Sequence, residues 1–111
     1  YRWPTSAQVF QQINDWWREN QREGRTSVLY AYALGKAQRV LCGLDPSIGP
    51  IGVHGAVDRM LPHYRAAGRP IPPTVRAVRD TKERLRGAGL IVAPGSARNT
   101  PWLRQFAPHS Q

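Results

Sequence analysis

The sequence has only one cysteine, Cys42, among its 111 residues. A lone cysteine cannot form an internal disulfide, which indicates a reducing compartment. Cys42 is either a nucleophile or ligand, or a small core residue on an apolar helix face, and we favour the core interpretation. No apolar run approaches the roughly 20 residues that a membrane span needs. We therefore expect a cytoplasmic protein without a membrane partner.

Acidic residues are also scarce, since 7 Asp and Glu stand against 16 Lys and Arg, for a formal net charge of +9. Such a surplus attracts polyanions, chiefly nucleic acid, because their binding releases counterions. General solubility and a neighbouring acidic domain are the alternative explanations. The histidines lack zinc-ligand spacing and the carboxylates are scattered, so no metal ligand is predicted within the chain. A phosphate-rich partner is the interpretation that we favour.

The first predicted element is a helix. Thr5 to Gln8 has the form of a capping box, and apolar residues then recur at helical spacing from Val9 to Trp17. The polar run from Arg18 to Glu23 continues the helix, which Gly24 ends. The adjacent Trp16 and Trp17 are either core residues or a base-stacking platform. Their position in the apolar stripe favours the core.

Three short apolar runs predict strands buried on both faces, as in parallel sheets: residues 27–33, 51–54 and 90–93. Helical patterns follow each run, with an irregularity expected at Pro62. In the stretch 74–89, the first residues fit either a helix or a short edge strand. Alternating strands and helices predict one α/β domain over residues 1–111, a three-layer parallel sheet flanked by helices.

Each predicted strand runs into a glycine turn and then a helix, at Gly35, Gly55 and Gly95. The carboxyl ends of parallel strands share one edge, where ligands bind, and glycine permits a close backbone approach. The rim predicted there suits a phosphodiester backbone and carries Lys36, His54, Ser96 and Arg98. Alternatively, the glycines only make tight turns and His54 only ends a strand. No dinucleotide-binding or Walker sequence is present.

Residues 32–39 (Tyr-Ala-Leu-Gly-Lys-Ala-Gln-Arg) resemble the β-CASP region of metallo-β-lactamase-fold nucleases. Residues 92–97 are similar to a later strand-end turn of that family, and residues 53–57 fall at the strand end between them. Within the family, the chain looks like the bacterial ligase-associated DNA exonucleases, often labelled mRNA 3′-end processing exonuclease-like proteins. The resemblance implies a Rossmann-like β-CASP segment of a longer metallo-β-lactamase-fold protein, consistent with a chain that begins at Tyr1 rather than Met.

The resemblance implies a zinc-dependent DNA or RNA exonuclease in which this segment holds the single strand. The His-x-His-x-Asp-His motif is absent, so we expect zinc and catalysis in the parent protein and no catalytic residue here. The implied partners are a DNA or RNA single strand, the metallo-β-lactamase half of the parent and a DNA ligase. The candidate substrate-binding residues are Gly35, Lys36, Gln38, His54, Gly95, Ser96 and Arg98. The alternative function is a docking module for protein, without direct nucleic-acid contact.

Overall fold

A computed structural model describes residues 6–31 and 36–110, except for the side chains of Ser6 and Lys36. Helices and strands alternate along these residues, as predicted. The helices are α1 (Ser6–Arg22), α2 (Lys36–Cys42), α3 (Gly55–Asp58), α4 (Leu61–Ala66), α5 (Lys82–Leu85) and α6 (Pro101–Arg104). The strands are β1 (Thr26–Tyr30), β2 (Ile51–Val53), β3 (Val75–Arg76), β4 (Leu90–Ala93) and β5 (His109–Ser110). Two 3-10 turns, Arg79–Thr81 and Gly95–Ala97, follow β3 and β4.

The strands form one all-parallel sheet in the order β3-β2-β4-β1-β5. In register, Val92 of β4 lies between Leu29 of β1 and Val53 of β2. Helices cover both faces, so the predicted three-layer α/β fold is confirmed. Strand β5 was not predicted, because two residues are too few to show a period.

The two sheet faces carry separate cores, and β4 contributes to both. Successive side chains of a strand point to opposite faces. Accordingly Leu90 and Val92 pack in the larger core with α1 to α4, whereas Ile91 packs in the smaller one with Leu85 and Phe106. All five side chains are fully buried. A continuous apolar run is therefore needed in β4, which explains why its bounds match the prediction.

Helix α1 covers the larger core through Trp17, which has no exposed surface. The indole Nε1–H of Trp17 donates to the carbonyl of Ala88 at 3.0 Å, so its polar atom is satisfied. Trp16 is half-buried and packs against the same core. The core interpretation of the paired tryptophans is confirmed.

The irregularity expected at Pro62 is also confirmed. The helical segment after β2 is divided into α3 and α4, and Pro62 occupies the first turn of α4, where its missing N–H is tolerated. The open alternative at residue 75 is resolved as an edge strand, β3. Cys42 is half-buried at the end of α2. Across the described residues, every helix is too short or too polar to span a membrane.

Candidate functional site

The carboxyl ends of the parallel strands meet at one edge of the sheet, and polar side chains gather there. The main chain binds across this edge, since the N–H of His54 donates to Val92 at 3.0 Å and that of Ala31 donates to Ala93 at 2.8 Å. Neighbouring strands are about 4.8 Å apart, so the ends of β3, β2, β4 and β1 extend over about 15 Å. We call the side chains grouped here the carboxyl rim: Tyr30, His54, Arg59, Arg76, Ser96, Arg98 and Trp102.

His54 connects β2 to α3 and caps that helix. Its Nδ1 accepts a hydrogen bond from the N–H of Ala56 at 3.1 Å. Its ring packs edge-to-face against Trp102, with centroids 4.8 Å apart. Burial lowers the pKa of His54 below 6.5, and the positive charges of Arg59 and Arg76 lower it further. The imidazole is therefore neutral at pH 7, with its proton on Nε2 as a hydrogen-bond donor.

Gly55 lets an arginine approach the backbone closely. A Cβ added to Gly55 would lie 2.5 Å from a terminal nitrogen of Arg76. The Nε of Arg59 reaches the Gly55 carbonyl at 3.4 Å, a long hydrogen bond. Two exposed guanidinium groups thus border the turn after β2. Gly55 was predicted to allow close approach of a ligand. In the structure, the space beside it is occupied by the side chain of Arg76.

The turn after β4 places a third arginine on the rim. The guanidinium of Arg98 lies over the ring of Tyr30, 4.4 Å from its centroid. Burial raises the pKa of Tyr30, although Arg98 opposes that shift, so the phenol is neutral at pH 7. Gly95 and Ser96 are exposed, and a Cβ added to Gly95 would meet no atom within 4 Å. No described protein atom crowds this turn, which leaves its backbone accessible.

The rim arginines are not neutralised by carboxylates. Within residues 6–31 and 36–110, Arg59, Arg76 and Arg98 have no carboxylate at ion-pair distance. The ion pairs lie elsewhere: Arg18 with Asp15 and Asp45, Arg22 with Glu19, Arg25 with Glu23, and Arg86 with Glu83. Positive charge at the rim is therefore available to an external anion.

Of the residues predicted for this site, the structure brings His54, Gly95, Ser96 and Arg98 to the carboxyl edge. The backbone of Lys36 begins α2 after β1, but its side chain and all of Gly35 lie outside the described residues. Gln38 lies in α2, 2% exposed, and lines a cavity beside α4 instead of the rim.

Sequence reasoning missed Tyr30, Arg59, Arg76 and Trp102 as rim residues. Tyr30 and Arg76 are the last residues of β1 and β3, so exact strand ends would have identified them. Arg59 and Trp102 reach the edge from α3 and α6 through tertiary packing. No local sequence signal marks such positions.

Comparisons with known proteins give one similarity. No protein-family model matches the chain, and no solved structure matches it. The chain is 28% identical over 109 residues to a "Probable DNA ligase" of Opitutus terrae, a match that covers 98% of this chain and 10% of that protein. The chain thus spans about a tenth of the length of this relative. It is similar to one segment of a protein that is named a DNA ligase.

Proposed function

We propose that this chain is the strand-holding segment of a zinc-dependent DNA or RNA exonuclease of the β-CASP type, in which the parent protein hydrolyses the phosphodiester. The observation that carries the proposal is the carboxyl rim, where Arg59, Arg76 and Arg98 have no carboxylate partner in the described part of the chain. Guanidinium groups bind phosphate oxygens with two parallel hydrogen bonds. A row of them suits a phosphate backbone better than a single small anion.

The aromatic residues of the rim support binding of a single strand. Single-stranded nucleic acid is held by a positive groove together with aromatic rings on which bases stack. Tyr30 and Trp102 are half-buried at the rim, beside Arg98 and His54 respectively. The ring of Tyr30 also restrains the guanidinium of Arg98, which lowers the entropy that Arg98 loses on binding.

The similarity to a protein named a DNA ligase supports a setting in nucleic-acid metabolism. Ligation itself is not carried over, because the match covers a tenth of that protein. The β-CASP assignment comes from the sequence resemblance at residues 32–39 and 92–97. Zinc does not fit the part of the chain that is described, where no group of three or more His, Cys, Asp or Glu side chains could hold a metal ion. We therefore assign no hydrolytic step to these residues.

The proposal predicts weak, salt-dependent binding of single-stranded oligonucleotides to this chain. Three phosphate contacts should give a slope of about −2 in a plot of log K against log salt concentration. Fluorescence anisotropy with a labelled oligonucleotide measures both the affinity and the slope. The same samples, incubated with zinc, should show no cleavage.

A competition experiment separates this function from the docking alternative. The expected result is that poly-glutamate displaces the oligonucleotide only weakly, since carboxylates along a polypeptide do not match the phosphate spacing. Tight binding of an acidic protein surface that excess oligonucleotide cannot displace would favour a docking module. Cleavage by this chain alone would contradict the division of labour with the parent.

A further inference from the structure

An open groove continues from the carboxyl rim on the side of β3. The described residues that line it are Arg79, Lys82, Pro101, Trp102 and Gln105, and its volume is 570 Å³. We call it the α6 groove. Because Trp102 belongs to both the rim and the groove, the two surfaces are continuous. Sites for small organic groups commonly measure about 300 to 1,000 Å³, so the α6 groove has room for a nucleotide unit.

The indole of Trp102 is held in place from several sides. Its Nε1–H donates to the carbonyl of Ala77, the residue after β3, at 2.7 Å. The rings of His54 and Phe106 pack against it edge-to-face, with centroids 4.8 and 5.4 Å away. Trp102 is half-buried by these contacts and still lines the groove. A ring that is fixed in advance loses little entropy when a flat group stacks on it.

Two cations from the segment after β3 line the same groove. Arg79 is exposed and Lys82 is half-buried. In the described part of the chain, neither has a carboxylate at ion-pair distance. The carboxylates of this segment are not among the described lining residues, since Asp80 is exposed and Glu83 pairs with Arg86 at 3.7 Å. The positive charge of the groove is thus available to an external anion.

Gln105 adds a hydrogen-bonding group beside the indole. Its Nε2 donates to the carbonyl of Trp102 at 3.2 Å, which holds the amide next to the ring. This bond uses an amide N–H and leaves the amide oxygen as an acceptor. The unstacked bases of a single strand are bound through hydrogen bonds at their edges as well as by stacking. The α6 groove therefore combines cations for phosphate, a fixed ring for a base and an acceptor for a base edge.

We propose that the α6 groove binds the next nucleotide of the strand held at the rim, with its base stacked on Trp102 and its flanking phosphates on Arg79 and Lys82. This inference rests on the proposed strand-holding function and extends it along the nucleic acid. Positive grooves with aromatic stacking platforms are how proteins hold single strands. Free phosphate would use only the cations, and a duplex would keep its bases stacked away from the ring. The bound strand therefore crosses the sheet edge and leaves it over α6.

The salt dependence of binding tests this extended path. An oligonucleotide of about four nucleotides should reach only the three rim arginines and give a slope of about −2 in a plot of log K against log salt concentration. One of about eight nucleotides should also contact Arg79 and Lys82, which gives about five phosphate contacts and a slope of about −3.5. Fluorescence anisotropy measures both slopes. The longer strand also binds in more registers, but that statistical gain does not change the slope.

Variants assign the added contacts to the groove. Arg79→Ala with Lys82→Ala should return the slope for the longer strand to about −2, weaken its binding about tenfold and leave binding of the short strand unchanged. The matched control is Arg84→Ala with Arg104→Ala, two exposed arginines of α5 and α6 that are not among the described groove residues. This control should keep a slope of about −3.5. Circular dichroism of each variant checks that the fold is kept.

Tryptophan fluorescence tests the base contact separately. The longer oligonucleotide should quench the emission of the protein, because a stacked base quenches an indole, and the short one should quench it much less. Trp102→Phe should remove this quenching while an aromatic ring remains beside His54 and Phe106. Arg79→Ala with Lys82→Ala keeps the indole and gives a second test if Trp102→Phe unfolds. In that double variant, the longer strand should quench no more than the short one.

Three results would overturn the inference while the proposed function stood. They are equal salt slopes for the two strand lengths, equal losses in the double variant and its control, and absence of quenching by the longer strand. In each case Arg98→Glu would still weaken binding of the short strand at the rim. If neither strand bound the unsubstituted protein, the proposed function itself would fail, and this inference would fail with it.

Discussion

Two groups of arginines in the described part of the chain lie in contrasting surroundings. Around α1, Arg18 and Arg22 lie three residues after Asp15 and Glu19, a spacing that places each pair on one face of the helix. At the carboxyl rim, arginines arrive from different elements, and no described carboxylate accompanies them. The same side chain is thus neutralised locally in one region and left as a net charge in the other. Part of the +9 surplus is thus left without a described carboxylate at the rim, and we propose that it acts on a partner there.

The paired region contributes little through its charges. The ion-paired side chains around α1 are 40% to 75% exposed, and such surface pairs are worth at most about 1 kcal/mol each. Its stabilising contribution comes from the apolar side of α1. At the rim, Trp102 packs against the smaller core. The rim arginines, in contrast, are exposed and have no described carboxylate at ion-pair distance. We therefore regard the α1 region as scaffold and propose the rim as the binding surface.

The largest expected effect concerns the scaffold. Trp17→Phe should lower the free energy of unfolding by about 3 kcal/mol, because it leaves a cavity and removes the hydrogen bond to Ala88. Urea denaturation followed by circular dichroism measures this loss. Trp16→Phe, at the half-buried neighbouring position, is the matched control and should cost less than about 1 kcal/mol. Equal losses at the two positions would contradict the assignment of Trp17 as the buried anchor.

The next effect concerns binding. The double reversal Arg76→Glu with Arg98→Glu should weaken oligonucleotide binding by about 30-fold or more, since two phosphate contacts become repulsive. The control Arg18→Glu with Arg22→Glu changes the net charge by the same amount in the ion-paired region around α1. It should weaken binding by about threefold or less. Similar losses of oligonucleotide affinity in both double variants would show that binding depends only on net charge. The rim would then have no special role in binding.

Much of the fold could be predicted because a strand that is buried on both faces of the sheet has a continuous apolar sequence, as β4 does. Strands β3 and β5 have two residues each, so no period identifies them. Both are edge strands, set by pairing with β2 and β1. Tertiary hydrogen bonding, rather than local pattern, defines these two elements.

The candidate site was predictable only where it follows a strand end, as at His54 and Arg98. Gln38 shows the limit of that reasoning. Although it follows a predicted strand end, its side chain is 2% exposed in the wall of the cavity beside α4. The helix phase, which strand-end reasoning ignores, determines which residues near a turn face the edge.

The smallest predicted effect is the contribution of His54 to the pH dependence of stability. Because the pKa of His54 is lowered from 6.5 in the folded protein, the unfolded chain binds the proton more readily. The His54 contribution to stability is thus complete above pH 6.5 and declines as the pH falls through the window below it. His54→Asn keeps an oxygen that can cap α3 but does not titrate. Thermal unfolding should therefore show a smaller loss of stability in acid for His54→Asn than for the unsubstituted protein.

Binding of an oligonucleotide at the rim should oppose the lowering of the His54 pKa. Phosphates bound to Arg59 and Arg76 would offset the charges that help to lower the pKa of His54, so the pKa should rise when an oligonucleotide binds. By linkage, oligonucleotide affinity should then increase as the pH falls below 6.5, and this increase should be absent in His54→Asn. An NMR titration of the His54 ring protons, with and without oligonucleotide, measures the shift directly. If the His54 titration were unchanged under saturating oligonucleotide, the bound strand would have to lie away from Arg59 and Arg76. The assignment of the rim as the binding surface would then be wrong.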